Sequence, residues 1–151
     1  MIIAVDFDGT IVEHKYPEIG RELIFAFDTL KRLQQDGHQL ILWTIRTGPL
    51  LEEAVEYCRK NGVEFYAVNK SFPEERFAPG EASRKVNADI FIDDRNVGGL
   101  PGWGEIYNMI SNRDESEHFR RVNQAYEPNT EHSVFKTIKN RFYQYLYGKN
   151  I

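Results

Sequence analysis

Apolar and polar positions change period several times along the chain, and each change marks an element. Ile2 to Val5 is an unbroken apolar run, the pattern of a short strand buried on both faces. From about Arg21 to Gln35 the period becomes helical, with Leu23, Ile24, Phe27, Leu30 and Leu33 on one stripe and Gly37 as the stop. Gln39 to Trp43 reads as a second buried strand. A helix opening near Pro49 follows, carrying Leu50, Leu51, Ala54, Val55 and Cys58 and ending at Gly62. Glu64–Val68 and Asp89–Ile92 are the third and fourth strands, and a further helix starts near Trp103.

Strands separated by helices of this length predict βαβ units: a Rossmann-like parallel α/β sheet with helices on both faces. Lys70 to Arg84, with two prolines and one glycine, reads as a loop. Residues 112–127 are polar and helix-compatible, and Phe135, Ile138, Phe142 and Tyr145 fall on one helical face further on. The expected organisation is one domain over residues 1–151, with a core of about 1–111 and a C-terminal extension of about 112–151.

Composition narrows this little. At 41% hydrophobic and 28% charged residues, the 151-residue chain has the balance of an ordinary globular domain with one core. A net charge of −4 argues against a general nucleic-acid or membrane coat. Cys58 is the single cysteine, so no intrachain disulfide can form, which suits a reducing compartment. With no apolar run long enough for a membrane span and no signal-peptide pattern at Ile2–Val5, a cytoplasmic protein is expected.

The chemistry-bearing residues gather where ligands collect in parallel sheets, beyond the carboxyl ends of the strands. Asp6 and Asp8 follow the first strand, Thr44 the second, with Arg46 close behind. Asp93 and Asp94 follow the fourth, and Lys85 precedes it in SRKVNADIFIDD. Each alone is ordinary, since a carboxylate after a strand often only caps a turn. Together they form an acidic cluster with a hydroxyl and a cation at one sheet edge, which suits a hard cation and an oxyanion.

VDFDGT, the strand-ending Thr44 of LILWT, Lys85 and the IDD of residues 92–94 resemble, in order, the four motifs of the haloacid dehalogenase superfamily, mostly magnesium-dependent phosphohydrolases. The resemblance spans about residues 1–110. A response-regulator receiver domain uses similar residues, but there the Asp pair comes first. The resemblance implies hydrolysis of a phosphate monoester. Asp6 is then the nucleophile that becomes an aspartyl-phosphate, and Asp8 the general acid and base. Thr44 and Lys85 hold the phosphoryl group. Mg²⁺ sits on Asp6, the Asp8 carbonyl and Asp94, with Asp93 reaching it through water. Two carboxyl groups of opposed protonation are required.

Neither the Thr10–Gly20 interval nor the stretch from Thr44 to Lys85 holds a folded cap, so the capless branch is implied. An open site then needs a large substrate or a neighbouring subunit to exclude water. Several features keep two readings. Arg46 either grips phosphate bidentately or pairs with Asp93, Asp94 or Glu52. Phe72, Arg76 and Phe77 either wall the site or tuck into the core. The aromatic, basic stretch Phe135–Tyr147 is either an amphipathic helix docked on the core or on another subunit, or a nucleic-acid patch. His14, His38, His118 and His132 lack zinc-ligand spacing and read as surface residues, and Cys58 as core. Two rival functions stand beside the phosphohydrolase: a non-catalytic module binding metal or a phospho-ligand, and a phosphatase of nucleic-acid ends.

Overall fold

The structure, a computed structural model, describes residues 1–76 and 85–126, the side chains of 118–126 excepted. Four parallel strands form one sheet in the order β3-β2-β1-β4, namely β1 (Ile2–Val5), β2 (Gln39–Leu42), β3 (Ala67–Val68) and β4 (Ile90–Ile92). β1 is central, with Val5 opposite both Leu42 and Ile92. The chain steps outward from β1 to β2 to β3 and then returns to the far side of β1. The switch point, where ligands bind in such sheets, therefore lies between the carboxyl ends of β1 and β4. The parallel α/β sheet expected from the sequence is thus present.

Alternation along the strands sorts the core. Ile3, Val5, Leu40, Leu42 and Ile92 share one face and pack with α1 (Ala26–Gln35), α2 (Gly48–Lys60) and the first turns of α3 (Trp103–Tyr126). Phe27, Leu30, Leu33, Cys58, Trp103 and Ile106 are among the helical contributions to this cluster. The opposite face carries the fully buried Ala4 and Ile41, with Trp43 and Phe91 in edge-to-face contact at 5.0 Å. A second helical layer does not show among the described residues.

α1 begins later than the helical period predicts. Residues 21–23 are taken into a two-stranded ribbon instead: Glu13 N–H donates to the Arg21 carbonyl and Leu23 N–H to that of Ile11. Phe25 then turns at φ 67° before the helix starts. Ile24, expected on the buried stripe, is left 79% exposed. This ribbon and its tip, residues 11–23, form a flap directly after Asp6 and Asp8.

The chain divides into two compact units, Met1–Ile110 and Ser111–Ile151. In the second, the described part is the remainder of α3, with Arg113 and Glu117 paired one turn apart at 3.2 Å. Phe77, His132 and the Phe135–Tyr147 stretch lie outside the described residues, as does the His118 side chain. Among the described residues no helix is long and apolar enough to cross a membrane. Cys58 is buried and its thiol is pushed up to about 12 by burial, so it is core as expected. His38, expected at the surface, is buried, its Nδ1 3.3 Å from the Met1 amino group.

Candidate active site

The site grows from the turn that follows β1. Asp6 N–H still pairs with the Ile92 carbonyl at 2.9 Å, so Asp6 is anchored between the ends of β1 and β4. The Ile11 and Val12 N–H groups both donate back to the Phe7 carbonyl, closing the turn. Gly9 makes the turn passable: it sits at φ +89°, and a Cβ there would fall on the Asp94 carboxylate.

Asp6, Asp93 and Asp94 meet at this switch point, with one carboxylate oxygen from each lying within 4.8 Å of the others. Burial raises the Asp6 carboxyl from 3.8 to about 6, and the charges of Asp93 and Asp94 add to the shift. The Phe7 N–H and Thr10 hydroxyl oppose it. Asp93 Oδ1 accepts the Arg95 N–H at 2.8 Å. Asp94 Oδ1 is buried and has no hydrogen-bond partner among the described residues, a costly state for a carboxylate oxygen that a cation would relieve. The donor set is entirely hard oxygen and therefore fits Mg²⁺.

Thr10 ties these groups together. Its fully buried hydroxyl donates to Asp6 Oδ2 at 3.1 Å and accepts the Asp94 N–H at 3.0 Å, while its carbonyl accepts the Trp103 indole N–H at 3.1 Å. No role for Thr10 was read from the sequence, although its place four residues after Asp6 could have suggested one.

Asp8 does not join the acidic cluster through its side chain. The guanidinium of Arg46 takes it bidentately, Nε to Oδ2 and Nη2 to Oδ1, both at 2.7 Å. Arg46 is wholly buried, its other bonds run to the Pro17 and Glu18 carbonyls at 2.9 Å, and it lies over the rings of Phe7 and Tyr16. The ion pair expected with Asp93, Asp94 or Glu52 is therefore corrected to one with Asp8, and Arg46 is not among the residues that line the cavity above the cluster. A buried guanidinium needs most of its donors filled, and Asp8 and the flap fill them.

A cavity of about 260 Å³ opens above the cluster. Asp6, Asp8, Asp93 and Thr44 form its polar floor, and Trp43, Ile45, His14 and Arg95 its remaining wall. Thr44 N–H is held by the Asn69 side chain at 2.8 Å, Asn69 itself standing at φ 51°. The Thr44 hydroxyl accepts the Arg46 N–H at 3.3 Å and keeps its own proton free to donate. His14 is exposed as expected, yet it borders the cavity with Nδ1 3.5 Å from the Asp8 carbonyl.

Lys85 is not brought to this wall. It is exposed, with its ammonium 5.5 Å from the centre of the Phe91 ring, because the apolar opposite face offers that ring beside the start of β4. Phe72 and Arg76 are also exposed and do not line the cavity.

No protein-family model matches the chain, and no curated protein does. Among solved structures it is similar to a conserved protein from Bacteroides thetaiotaomicron, 63% identical over 75% of this chain and 91% of that one, with a TM-score of 0.70.

Proposed function

The chain belongs to the family of that conserved Bacteroides thetaiotaomicron protein, and from its own site we propose that it is a capless, magnesium-dependent phosphohydrolase of the haloacid dehalogenase type. One observation carries the proposal. Three carboxylates from the ends of two neighbouring strands converge on one point, with Asp94 Oδ1 buried and unpartnered beside a cavity that also holds Thr44. Mg²⁺ on Asp6, Asp94 and the Asp8 carbonyl, with Asp93 through water, would neutralise the cluster and the charge of an incoming phosphate.

The chain's residues then divide the work. Asp6, with its carboxyl at about 6, is mostly ionised at neutral pH and attacks phosphorus. An Asp6–phosphorus bond forms as the bond to the leaving oxygen breaks, and Asp8 passes a proton to that oxygen. Asp8 then takes a proton from the water that attacks the aspartyl-phosphate, and orthophosphate leaves. Arg46 bonds both Asp8 oxygens, which fixes the orientation of that carboxyl group. The Thr44 hydroxyl donates to a phosphoryl oxygen, and Asn69 holds Thr44 in place. Arg95 is the cationic side chain on the cavity wall, which leaves Lys85 outside the proposed machinery in this arrangement.

The test is hydrolysis of p-nitrophenyl phosphate by the native chain and by Asp6→Asn, with and without Mg²⁺. Magnesium-dependent turnover lost in Asp6→Asn is expected. Turnover that survives Asp6→Asn overturns the mechanism. Metal binding without turnover on any phosphate ester favours a non-catalytic module.

A further inference from the structure

Resting on the phosphohydrolase reading, we infer that Arg46 is a positioning residue that locks the Asp8 carboxylate and the tip of the flap into one rigid unit. The guanidinium is wholly buried, and among the described residues its hydrogen bonds go to the two oxygens of Asp8 and the backbone of the flap. Lys15, Tyr16, Pro17 and Glu18 are all exposed, and while Ile19 packs against the core beside them, the Pro17 and Glu18 carbonyls on Arg46 give the tip a buried polar anchor. The cation also lies over the Phe7 and Tyr16 rings, 5.0 and 5.3 Å from their centres.

Swinging the flap out would strand a buried cation, and rotating Asp8 away would do the same. The flap, which carries His14 at the cavity rim, is therefore a fixed wall standing in for a cap, and Asp8 has one orientation toward the leaving group. Lysine cannot substitute, because one ammonium cannot bond both carboxylate oxygens and two carbonyls in fork geometry.

A positioning role through Asp8 predicts a selective defect. The experiment compares kcat/KM, which reports steps up to departure of the leaving group, for native chain and Arg46→Lys with Mg²⁺. The two substrates are p-nitrophenyl phosphate, whose leaving group needs no proton, and benzyl phosphate, whose leaving group does. Arg46→Lys is expected to lose on the order of a hundredfold on benzyl phosphate and less than about tenfold on p-nitrophenyl phosphate. Asp8→Asn is expected to show the same pattern. Equal losses on both substrates, or none, in a folded Arg46→Lys overturn the inference.

Hydrogen exchange on the native full chain tests the clamp independently of turnover and of whether the variant folds. The Glu13 and Leu23 amides are expected to exchange as slowly as those of β1. Free exchange at both overturns the clamp even if phosphate esters are hydrolysed. Native chain without Asp6-dependent turnover but with protected flap amides overturns the hydrolase reading while leaving the clamp standing.

Discussion

The Thr10 hydroxyl bridges Asp6 and Asp94, donating to the Asp6 carboxylate at 3.1 Å and accepting the Asp94 N–H at 3.0 Å. One buried side chain thereby joins the end of β1 to the end of β4, across the point where the sheet reverses its order. Thr10→Val keeps the shape and removes the hydroxyl. The Asp94 N–H then loses its acceptor, and the Asp6 carboxylate loses one of the groups that favour its charge. A destabilisation of about 1–3 kcal/mol is expected, read as a lower urea midpoint at unchanged slope. A midpoint equal to that of the native chain would show that the bridge contributes nothing.

Asp6 gives the stability of the metal-free chain a definite pH dependence. Burial, reinforced by Asp93 and Asp94, raises its carboxyl from 3.8 to about 6 in the folded state. A group raised on folding contributes stability that is complete below its unfolded value and is lost as pH rises through its folded value. Between about pH 4 and pH 6 the metal-free protein should therefore weaken, with the ionised carboxylate costing up to about 3 kcal/mol at neutral pH. Asp6→Asn, proposed to abolish turnover, is expected to be more stable than the native chain near neutral pH without Mg²⁺. Near pH 4 the two should differ little. Urea titrations at both pH values decide it, and a gap of the same size at each would rule out Asp6 as the source.

The first, second and fourth strands and the acidic cluster are legible because they follow from local patterns, whereas the third strand, expected over Glu64–Val68, is only Ala67–Val68. A buried parallel strand is an unbroken apolar run, and Asp6, Asp93 and Asp94 each stand just after one. The flap was not legible as such. Leu23 and Ile24 happen to continue the helical period of α1, and only the pairing of residues 21–23 with 11–13 takes that backbone out of the helix. Arg46 was misread for a related reason: a charge two residues after a strand is normally solvated. Its burial depends on carbonyls 28 and 29 residues earlier in the chain, which no local pattern displays. Lys85 is placed by its position before β4 and by motif order, and neither says which face of the sheet a side chain takes. Thr10 and Asn69 act through hydrogen bonds to the backbone and side chains of the site, and such roles have no periodic signature.

Gly9 is expected to be intolerant of any side chain, for two separable reasons. Its φ of +89° strains every L-residue, and a Cβ would collide with the Asp94 carboxylate. Gly37, at φ +86°, has nothing within 4 Å of its would-be Cβ, so Gly37→Ala measures the backbone strain alone. That strain is of order 1–3 kcal/mol. Gly9→Ala should lose distinctly more and should also weaken Mg²⁺ binding, measured by calorimetry on each purified variant. Equal losses in stability, with Mg²⁺ affinity unaffected by Gly9→Ala, would mean that Asp94 yields without consequence.

Asp93 and Asp94 are adjacent in sequence but differ in what they already hold, and this difference ranks them as ligands for the proposed metal. Asp93 Oδ1 accepts the Arg95 N–H at 2.8 Å, so part of its capacity is engaged without any ion. Asp94 Oδ1 is buried and unpartnered, which makes it the oxygen with most to gain from a cation. Mg²⁺ should therefore stabilise the native chain through selective binding to the folded state, raising its melting temperature with the logarithm of free metal. Asp94→Asn is expected to abolish most of that rise, because the amide removes the charge from the unpartnered position. Asp93→Asn should weaken it by on the order of tenfold in affinity, the effect of losing a partner beyond the direct ligands. Asp93→Asn proving the more damaging of the two would reverse the assignment and make Asp93 the direct ligand.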